Sequence, residues 1–405
     1  MDIPGISPSL LKALGQLDMG PVALVGGAVR DLLLHRVHND PWRGLPDLDL
    51  VVEGAAAGLV AALVEQLGPS LVRRAQEHGA YGTVELELDL AGEIVLLDVA
   101  RARCELYPVP AENPLVSFGC LADDLARRDF SINAMALDLA SGELLDPHGG
   151  QQDLERRQLR FLHAASLRDD PTRLVRGARY AARLGFALEL SSRQQAVKTL
   201  KAWPWGWRPG DSPALAPAAL GTRLRMELEL LVEREPWAEA LQALQQWGGL
   251  ALLDPALQAD SQWPRRLRWA ARLGLPLLVA LVAGAGEPLA LAERLQLPHR
   301  QHRLLVQWLA LRASLGAGFT DAPLAGAEHW CALLEAPGCS APAVALALAC
   351  SNGPRRPLLR WLLRWRFLKA EQSAAELMAA GMGQGPELGR RLRALRAERL
   401  GRERL

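Results

Sequence analysis

The sequence predicts an α+β protein in which a mixed head is followed by an all-helical remainder. Short β-rich runs alternate with helical segments over the first ~140 residues, and helical patterns alone run from about residue 150 to the end. The two parts also differ in charge. Residues 1–150 hold 10 Lys and Arg against 22 Asp and Glu, whereas residues 151–405 hold 36 against 23. An acidic part joined to a basic part fits a polyanionic partner such as RNA or DNA, although Arg-rich helices can also be merely solvated.

Four strands and three helices are expected in the head. Runs of aliphatic and β-branched residues predict the strands, and apolar residues three and four apart predict the helices. The predicted strands are 22–25, 47–52, 83–88 and 94–99, and the predicted helices are 7–17, 28–35 and 55–67.

Two carboxylates, Asp47 and Asp49, are separated by one residue in a predicted strand. Because successive strand side chains point to opposite faces, residues i and i+2 share one side of the sheet. Paired carboxylates suit divalent cations. A D-x-D step alone is more often a solvated strand edge.

A glycine pair, Gly26-Gly27, lies between the strand 22–25 and the helix 28–35. Glycine lets the backbone approach a ligand closely, and the free N–H groups at a helix start attract phosphate. Such a pair is usually only a turn, but here it stands about twenty residues before Asp47 and Asp49. The combination predicts a metal-bound triphosphate.

A third carboxylate, Asp98, ends the last predicted strand of the head. It could deprotonate an attacking hydroxyl or complete a metal shell, and an ordinary strand-end Asp is an equally good interpretation. The segment from Asp98 to Ala122 contains three prolines and is predicted to be a long irregular connection, which is often functional.

Two later segments combine Arg with Asp or Asn. Arg128, Asp129 and Asn133 offer donors to phosphate and polar groups to ribose hydroxyls, although the segment alone could be a charged helix cap.

In the second segment Asp170 is expected to cap a helix with Pro171 at its first position, so that Arg173 and Arg176 share one face. Asp and Arg in this arrangement can read a base edge, and a simple cap with i,i+3 pairing is the other interpretation.

Taken in order, these motifs resemble those of class II tRNA nucleotidyltransferases, the family of CCA-adding enzymes and bacterial poly(A) polymerases. The matching segments are Gly26-Gly27-x-x-Arg30-Asp31, Asp47-x-Asp49, Arg127-Arg128-Asp129-Phe130-x-Ile132-Asn133-Ala134, Asp146-Pro147-x-Gly149-Gly150-x-x-Asp153-Leu154, Asp169-Asp170-x-x-Arg173 and Arg223-x-x-x-Glu227. They cover the N-terminal half strongly and the remainder hardly at all. Asp169 stands where the family commonly has Glu.

The resemblance implies a polymerase-β-like nucleotidyltransferase head over 1–145, a helical neck over 146–235 that selects the nucleotide, and a helical body and tail over 236–405 that hold tRNA. Asp47 and Asp49 would bind two Mg²⁺ ions, with Asp98 as the third carboxylate. Gly26, Gly27, Arg30 and Asp31 would hold the triphosphate, and Arg128, Asp129 and Asn133 would meet the sugar and phosphates. Asp170 and Arg173 would pair with cytosine or adenine in place of a nucleic-acid template.

The expected function is therefore template-independent addition of C and A, or part of CCA, to tRNA 3′ ends from CTP and ATP. A CC-adding enzyme, an A-adding enzyme and a poly(A) polymerase remain alternatives that the motifs do not separate. A non-catalytic RNA-binding protein and a D-x-D glycosyltransferase are more remote alternatives. The first predicts damaged carboxylates, and the second leaves the segments around Arg128 and Asp170 without a purpose.

A cytoplasmic location and no membrane partner are expected. No apolar stretch reaches the ~20 residues of a membrane span, and the first four residues lack the basic start of a signal peptide. The five cysteines form no C-x-x-C pair, which argues against a disulfide framework. The segment Trp203 to Trp207 fits packing against helices better than stacking on a base.

Overall fold

The structure is a computed structural model and describes residues 3–17, 20–44, 47–79, 82–90, 93–317 and 326–403. The chain divides into two compact units, one formed by Met1–Arg208 and Pro217–Gly249 and the other by Pro209–Ala216 and Leu250–Leu405. The boundaries expected after residues 145 and 235 remain a prediction about domain organisation.

All strands among the described residues belong to the first unit. In chain order they are β1 (Val22–Val25), β2 (Leu48–Val52), β3 (Val72–His78), β4 (Thr83–Leu90), β5 (Glu93–Arg101), β6 (Arg103–Leu106), β7 (Leu115–Phe118), β8 (Ala136–Asp138), β9 (Leu144–Leu145), β10 (Gln158–Leu159) and β11 (Ala187–Leu188).

Ten helices accompany these strands in the described part of the first unit. They are α1 (Pro8–Gln16), α2 (Gly27–His38), α3 (Ala56–Leu67), α4 (Leu121–Ala126), α5 (Gly150–Glu155), α6 (Ser166–Asp169), α7 (Thr172–Leu184), α8 (Leu190–Ala202), α9 (Thr222–Arg234) and α10 (Trp237–Gln246).

Seven strands form one mixed sheet in the order β3-β4-β5-β2-β1-β8-β9. Strands β2 and β5 run parallel, and every other neighbouring pair is antiparallel. All four residues of β1 are buried, as are four of the five in β2, because helices cover the centre of the sheet. Helix α2 packs on β1 and β2, and α3 packs on β4 and β5. The centre of the sheet is therefore a rigid support for side chains at its edge.

The predicted α+β fold class is confirmed, and the seven predicted head elements match β1, β2, β4, β5 and α1 to α3 with small shifts at their ends. The prediction of an irregular segment from 98 to 122 is wrong, because β6 and β7 pair there as an antiparallel hairpin. The purely helical pattern expected after residue 150 is interrupted by β10 and β11, which pair in parallel.

The second unit contains ten helices among its described residues. They are α11 (Pro255–Ala259), α12 (Trp263–Arg272), α13 (Leu277–Val282), α14 (Pro288–Arg294), α15 (His299–Ala317), α16 (Ala327–Leu334), α17 (Ala341–Ala349), α18 (Arg355–Leu363), α19 (Ala374–Ala379) and α20 (Pro386–Gly401). Helix α17 is buried from Ala343 onward, and α15 and α18 pack against it. This unit has its own core, in which Trp308, Trp330 and Trp365 are fully buried.

The tryptophan segment of the first unit contributes to packing. Trp205 and Trp207 are buried, and the Trp205 Nε1–H donates to the backbone oxygen of Arg168 at 2.9 Å. The packing interpretation is therefore confirmed for these two indoles. All five cysteines are free, and within the described ranges no helix has the length and apolarity needed to cross a membrane.

Candidate nucleotidyltransferase site

Three carboxylates gather at one edge of the central sheet. Asp49 in β2 is the register partner of Asp98 in the parallel strand β5, and Asp47 immediately precedes β2. Burial raises the pKa of Asp49 to about 6, with further raising contributions from Asp98 and Asp47 and a lowering one from Arg128. Burial also raises the pKa of Asp98, as do Glu85 and Asp47. The edge therefore concentrates negative charge that nearby cations compensate only in part.

This carboxylate edge is chemically suited to Mg²⁺, which prefers oxygen ligands and usually keeps several waters and substrate oxygens around it. Within the described ranges, no group of three or more His, Cys, Asp or Glu side chains is arranged so that it could hold a metal ion. An open set of one or two carboxylates is what Mg²⁺ uses when phosphates complete its shell. The raised pKa values of Asp49 and Asp98 fit the same interpretation, since a bound cation would stabilise both anions.

The glycine turn faces this edge. Gly26 adopts a φ of 71° and precedes α2, so the chain reverses from β1 into the helix there. A Cβ atom at Gly26 would lie 3.1 Å from Arg128 Nη1 and 3.2 Å from Asp49 Oδ2. Both the backbone conformation and the available space thus require glycine. The free N–H groups at the start of α2 lie beside the carboxylates, where a triphosphate could accept hydrogen bonds from them.

A cavity of about 370 Å³ opens next to the turn, a volume that fits a small ligand. Nine of the predicted site residues line it, namely Gly26, Gly27, Asp49, Arg128, Asp129, Asn133, Asp170, Arg173 and Arg176. Six further residues complete the lining, namely Arg103, Glu105, Tyr107, Arg127, Tyr180 and Arg223. The lining carries six guanidinium groups against four carboxylates, which favours an anionic ligand.

Asp124 fixes two of these arginines. Its fully buried carboxylate accepts from Arg127 at 3.0 and 2.6 Å through Oδ1, and from Arg128 at 3.2 and 2.8 Å through Oδ2. Burial alone would raise the pKa of Asp124, but Arg128 and Arg127 hold it below its ordinary value. Both guanidinium groups are therefore oriented before any ligand arrives.

A second buried network lies around Asn133, on another side of the cavity. Asn133 donates to Asp129 Oδ1 at 3.1 Å and accepts from Arg30 Nη1 at 2.8 Å, while Arg30 also pairs with Asp31 at 2.8 Å. Burial would raise the pKa of Asp129, yet Arg176 and Asn133 keep it lowered. Arg30 and Asp31 thus brace Asn133 from behind the lining, and their predicted contact with the triphosphate stays a prediction.

The start of α7 supplies the remaining predicted residues. Pro171 occupies the N-cap position rather than the first helical position, so the predicted start is wrong by one residue. Asp170 nevertheless stabilises the start of α7. Its Oδ1 accepts a hydrogen bond from the Thr172 N–H at 3.0 Å and another from the Thr172 hydroxyl at 2.6 Å. Arg173 Nη2 donates to the backbone oxygen of Arg127 at 2.9 Å.

Arg176 bridges two carboxylates at the cavity. It donates to Asp129 Oδ2 at 3.2 Å and to Glu227 Oε1 at 3.1 Å. Glu227 on α9 also pairs with Arg179. The helix face predicted to carry Arg173 and Arg176 does reach the cavity, where each arginine has a fixed protein partner.

Six lining residues were not predicted as site residues, and three of them belong to β6 or follow it. Glu105 accepts from Arg103 at 3.0 Å, from Arg127 at 3.0 Å and from the Tyr107 hydroxyl at 3.1 Å. Burial, together with Glu105 and Asp170, raises the pKa of Tyr107 to about 12, so its hydroxyl stays protonated. The alternating polar residues from Arg103 to Tyr107 were the available signal, but the prolines that follow obscured it.

Comparisons with known proteins agree with this geometry. Residues 22–160 match the family model described as the poly A polymerase head domain. The CC-adding tRNA nucleotidyltransferase of Deinococcus radiodurans is 39% identical over 301 residues, which cover 71% of this chain and 70% of the relative. The A-adding tRNA nucleotidyltransferase of Halalkalibacterium halodurans is 38% identical over 198 residues, 47% of this chain and 43% of that relative.

A solved structure shares the fold along nearly the whole chain. A CCA-adding enzyme in an apo form superimposes with a TM-score of 0.72 at 24% identity, covering 99% of this chain and 94% of the other. At this identity the likeness concerns the fold.

The mixed sheet, the glycine turn and the carboxylate edge define the class of the protein as a nucleotidyltransferase. The chain is 39% identical to the Deinococcus enzyme over 70% of that enzyme's length, and its head matches the family model. It therefore belongs to the family of class II tRNA nucleotidyltransferases. The family inferred from the motifs is thereby confirmed.

Proposed function

We propose that this protein adds cytidine to the 3′ ends of tRNA, with CTP as its nucleotide substrate. The observation that supports it most is the single cavity that combines the glycine turn, the carboxylate Asp49 and the arginine-rich wall with Asp170 and Arg173. A nucleotidyl transfer needs these three functions side by side: phosphate binding, charge stabilisation and recognition of the base.

The triphosphate lies at the start of α2, where backbone N–H groups and the preset guanidinium of Arg128 meet its negative charge. Asp129 and Asn133, held together by a 3.1 Å hydrogen bond, face the ribose hydroxyls. Because these groups are already ordered, little conformational entropy is lost when the nucleotide binds.

In the reaction the 3′-hydroxyl oxygen of the RNA attacks the α-phosphorus of CTP, and the bond to pyrophosphate breaks. Asp47 and Asp49 are the residues that would hold Mg²⁺, and when bound it supplies Lewis acidity for the developing charge. Asp98, opposite Asp49 in the sheet, is placed to complete this set or to take the proton from the attacking hydroxyl. The proposal includes two Mg²⁺ ions, which Asp47 and Asp49 would hold.

Recognition of the base rests on Asp170 and Arg173. A carboxylate accepts from the exocyclic amino group of cytosine or adenine, and a guanidinium donates to the ring acceptors. Uracil or guanine would place an oxygen against the carboxylate, which leaves buried groups unpaired and is costly.

Cytidine is proposed ahead of adenosine because of the relatives. The similarity to a CC-adding enzyme extends over 70% of that relative, whereas the similarity to an A-adding enzyme extends over 43% of it. An A-adding or full CCA-adding activity with ATP is the second candidate, supported by the 38% identity to the A-adding relative.

The neck at 146–235 and the body and tail at 236–405 complete the proposal. The excess of Arg and Lys in residues 151–405 supports binding of the tRNA acceptor arm, since cations neutralise backbone phosphates. We place the activity in the cytoplasm.

The test is incorporation of each labelled NTP, with Mg²⁺, into tRNA transcripts that end before CCA, after C and after CC. Two cytidines on the first transcript and none on the third support the CC-adding proposal. Adenosine on the third transcript alone, or C, C and A in sequence, selects an A-adding or a full CCA-adding enzyme instead. Long adenosine tracts on unrelated RNA would indicate a poly(A) polymerase, and no incorporation would leave an RNA-binding protein.

A further inference from the structure

Arg223 lines the nucleotide cavity, and neither the expected site residues nor the proposed mechanism gives it a role. It is the second residue of α9, and its Nη2 donates to Asp170 Oδ2 at 2.5 Å. The other terminal nitrogen, Nη1, is shielded from solvent and has no hydrogen-bond partner among the described residues. The ion pair with Asp170 is therefore the contact that holds this guanidinium in place.

Arg223 is the cation that pairs directly with Asp170. The Asp170 side chain is 4% exposed, and burying a carboxylate is costly unless it is paired and hydrogen-bonded. The two other arginines of α7 at the cavity are engaged elsewhere. Arg173 donates to the Arg127 backbone oxygen and lies 3.5 Å from His163 Nε2, and Arg176 pairs with Asp129 and Glu227.

The hydrogen bonds of Asp170 leave one acceptor position open. Both lone pairs of Oδ1 are taken by the N–H and hydroxyl of Thr172, and one lone pair of Oδ2 is taken by Arg223. The direction of the remaining lone pair on Oδ2 is thus set by Arg223 and Thr172 together. Thr172 fixes one oxygen, and Arg223 fixes the other.

We propose that Arg223 is the positioning residue that holds the Asp170 carboxylate in its orientation, and that it thereby sets the preference for cytosine over uracil. The proposal rests on the assignment of Asp170 to base recognition. A carboxylate oxygen can only accept, so Asp170 in this orientation suits the amino group of cytosine and repels the O4 oxygen of uracil. Without Arg223 the carboxylate is free to rotate away from the base, so its contact with the cytosine amino group and its repulsion of uracil O4 are both weakened, and discrimination against uridine falls.

The experiment compares the wild type with Arg223→Ala, Arg223→Gln and Arg223→Lys on tRNA lacking CCA, with CTP and UTP tested separately. Arg234→Ala is the matched control, because this arginine lies exposed at the end of the same helix. Addition of cytidine by the wild type establishes the proposed function independently, so failure of that function is seen before any variant is tested.

For Arg223→Ala we expect the ratio of kcat/KM for CTP to that for UTP to fall roughly tenfold or more. The KM for CTP should rise, while the KM for tRNA stays at the wild-type value. Arg223→Lys should recover most of the ratio, because an ammonium group can pair with Asp170 Oδ2. Arg223→Gln keeps a donor but loses the charge, so its ratio should also fall, and it replaces the alanine variant if that one does not fold.

A wild-type ratio in the Ala or Gln variant would overturn the proposal. So would a uniform loss, in which the KM for tRNA rises as much as the KM for CTP and lysine restores nothing, because that pattern indicates general structural damage. Under the proposal, the control Arg234→Ala keeps the wild-type ratio of kcat/KM for CTP to that for UTP. A fall there equal to that in Arg223→Ala would also contradict it.

Discussion

Asp49 and Asp98 face each other across two parallel strands, because residue 49 of β2 is the register partner of residue 98 of β5. This is the one parallel pairing among the described strands of the seven-stranded sheet. In this register the two side chains lie side by side on one face of the sheet, so two carboxylates that are 49 residues apart in the chain meet there. The arrangement favours cation binding at a cost in stability, since each anion disfavours the other.

Replacing Asp49 by Asn should therefore abolish nucleotide incorporation while making the metal-free protein more stable at pH 7. The folded-state pKa of about 6 lies above the ordinary 3.8, so ionised Asp49 destabilises the fold at neutral pH. This penalty is absent below about pH 3.8, develops as pH rises and is complete above about pH 6. Thermal unfolding with EDTA should show the variant melting higher at pH 7, with the difference vanishing toward pH 4. Equal melting temperatures at pH 7 would contradict the assigned environment.

Replacing Gly26 by Ala should remove most nucleotide binding. A Cβ there meets Arg128 Nη1 and Asp49 Oδ2 at 3.1 and 3.2 Å, and the φ of 71° is strained for alanine. Gly20→Ala is the control, because Gly20 has a similar φ of 84° but a Cβ atom added there would meet nothing within 4 Å. Titration with CTP should show a rise in Kd of roughly tenfold or more for Gly26→Ala alone. Equal Kd values for CTP in the two variants would contradict the claim that crowding at Gly26 blocks nucleotide binding.

Replacing Asp124 by Asn should lower both stability and activity. The carboxylate accepts four N–H groups from Arg127 and Arg128, and breaking a buried ion pair typically costs about 3 kcal/mol or more. Urea unfolding and the KM for CTP measure the two effects. Asp89→Asn removes the partner of Arg73 in a more exposed pair and should change stability by less than about 1 kcal/mol. An Asp124→Asn variant with unchanged stability and an unchanged KM for CTP would contradict the role given to this carboxylate.

The pair Glu335–Arg396 should make the second unit sensitive to acid. Two hydrogen bonds from Arg396, at 2.5 and 2.7 Å, lower the pKa of Glu335 below its ordinary value. The pair therefore stabilises the fold above the ordinary pKa of about 4.5, and this contribution is lost as pH falls through the lower folded-state pKa.

Glu335→Gln is expected to cost about 1 kcal/mol at pH 7 and less at pH 4, measured by urea unfolding. Glu371→Gln is the matched control, because its pair with Arg402 is more exposed on both sides and should contribute little. The same loss at both pH values would show that the charge of Glu335 is not involved.

Much of the head could be predicted because its signals are local. The runs 22–25 and 83–88 have strand periodicity, and Gly26-Gly27 marks the turn whatever the rest of the chain does. The hairpin of β6 and β7 escaped prediction because Pro108, Pro110 and Pro114 suggested an irregular segment, and its strands of four residues each carry too short a pattern. Hairpin pairing is decided by partners across the turn.

The site was predicted as a set of residues, but not as a set of contacts. Asp124 looked like one of several charges in a helical segment, although it orients Arg127 and Arg128. Arg223 was visible as part of a motif, yet its pairing with Asp170 depends on how α9 packs against α7, 53 residues away in the chain. Sequence spacing reports residue types and local faces, whereas these partners are set by tertiary packing.

The central claim is that side chains in this cavity select cytidine for transfer to RNA. The most direct test is the ratio of kcat/KM for CTP to that for UTP on tRNA lacking CCA, measured for the wild type and for Arg173→Ala. The account predicts strong preference for CTP in the wild type and a ratio near one in the variant, with tRNA binding unchanged. An unchanged preference in Arg173→Ala, or no incorporation by the wild type, would contradict it.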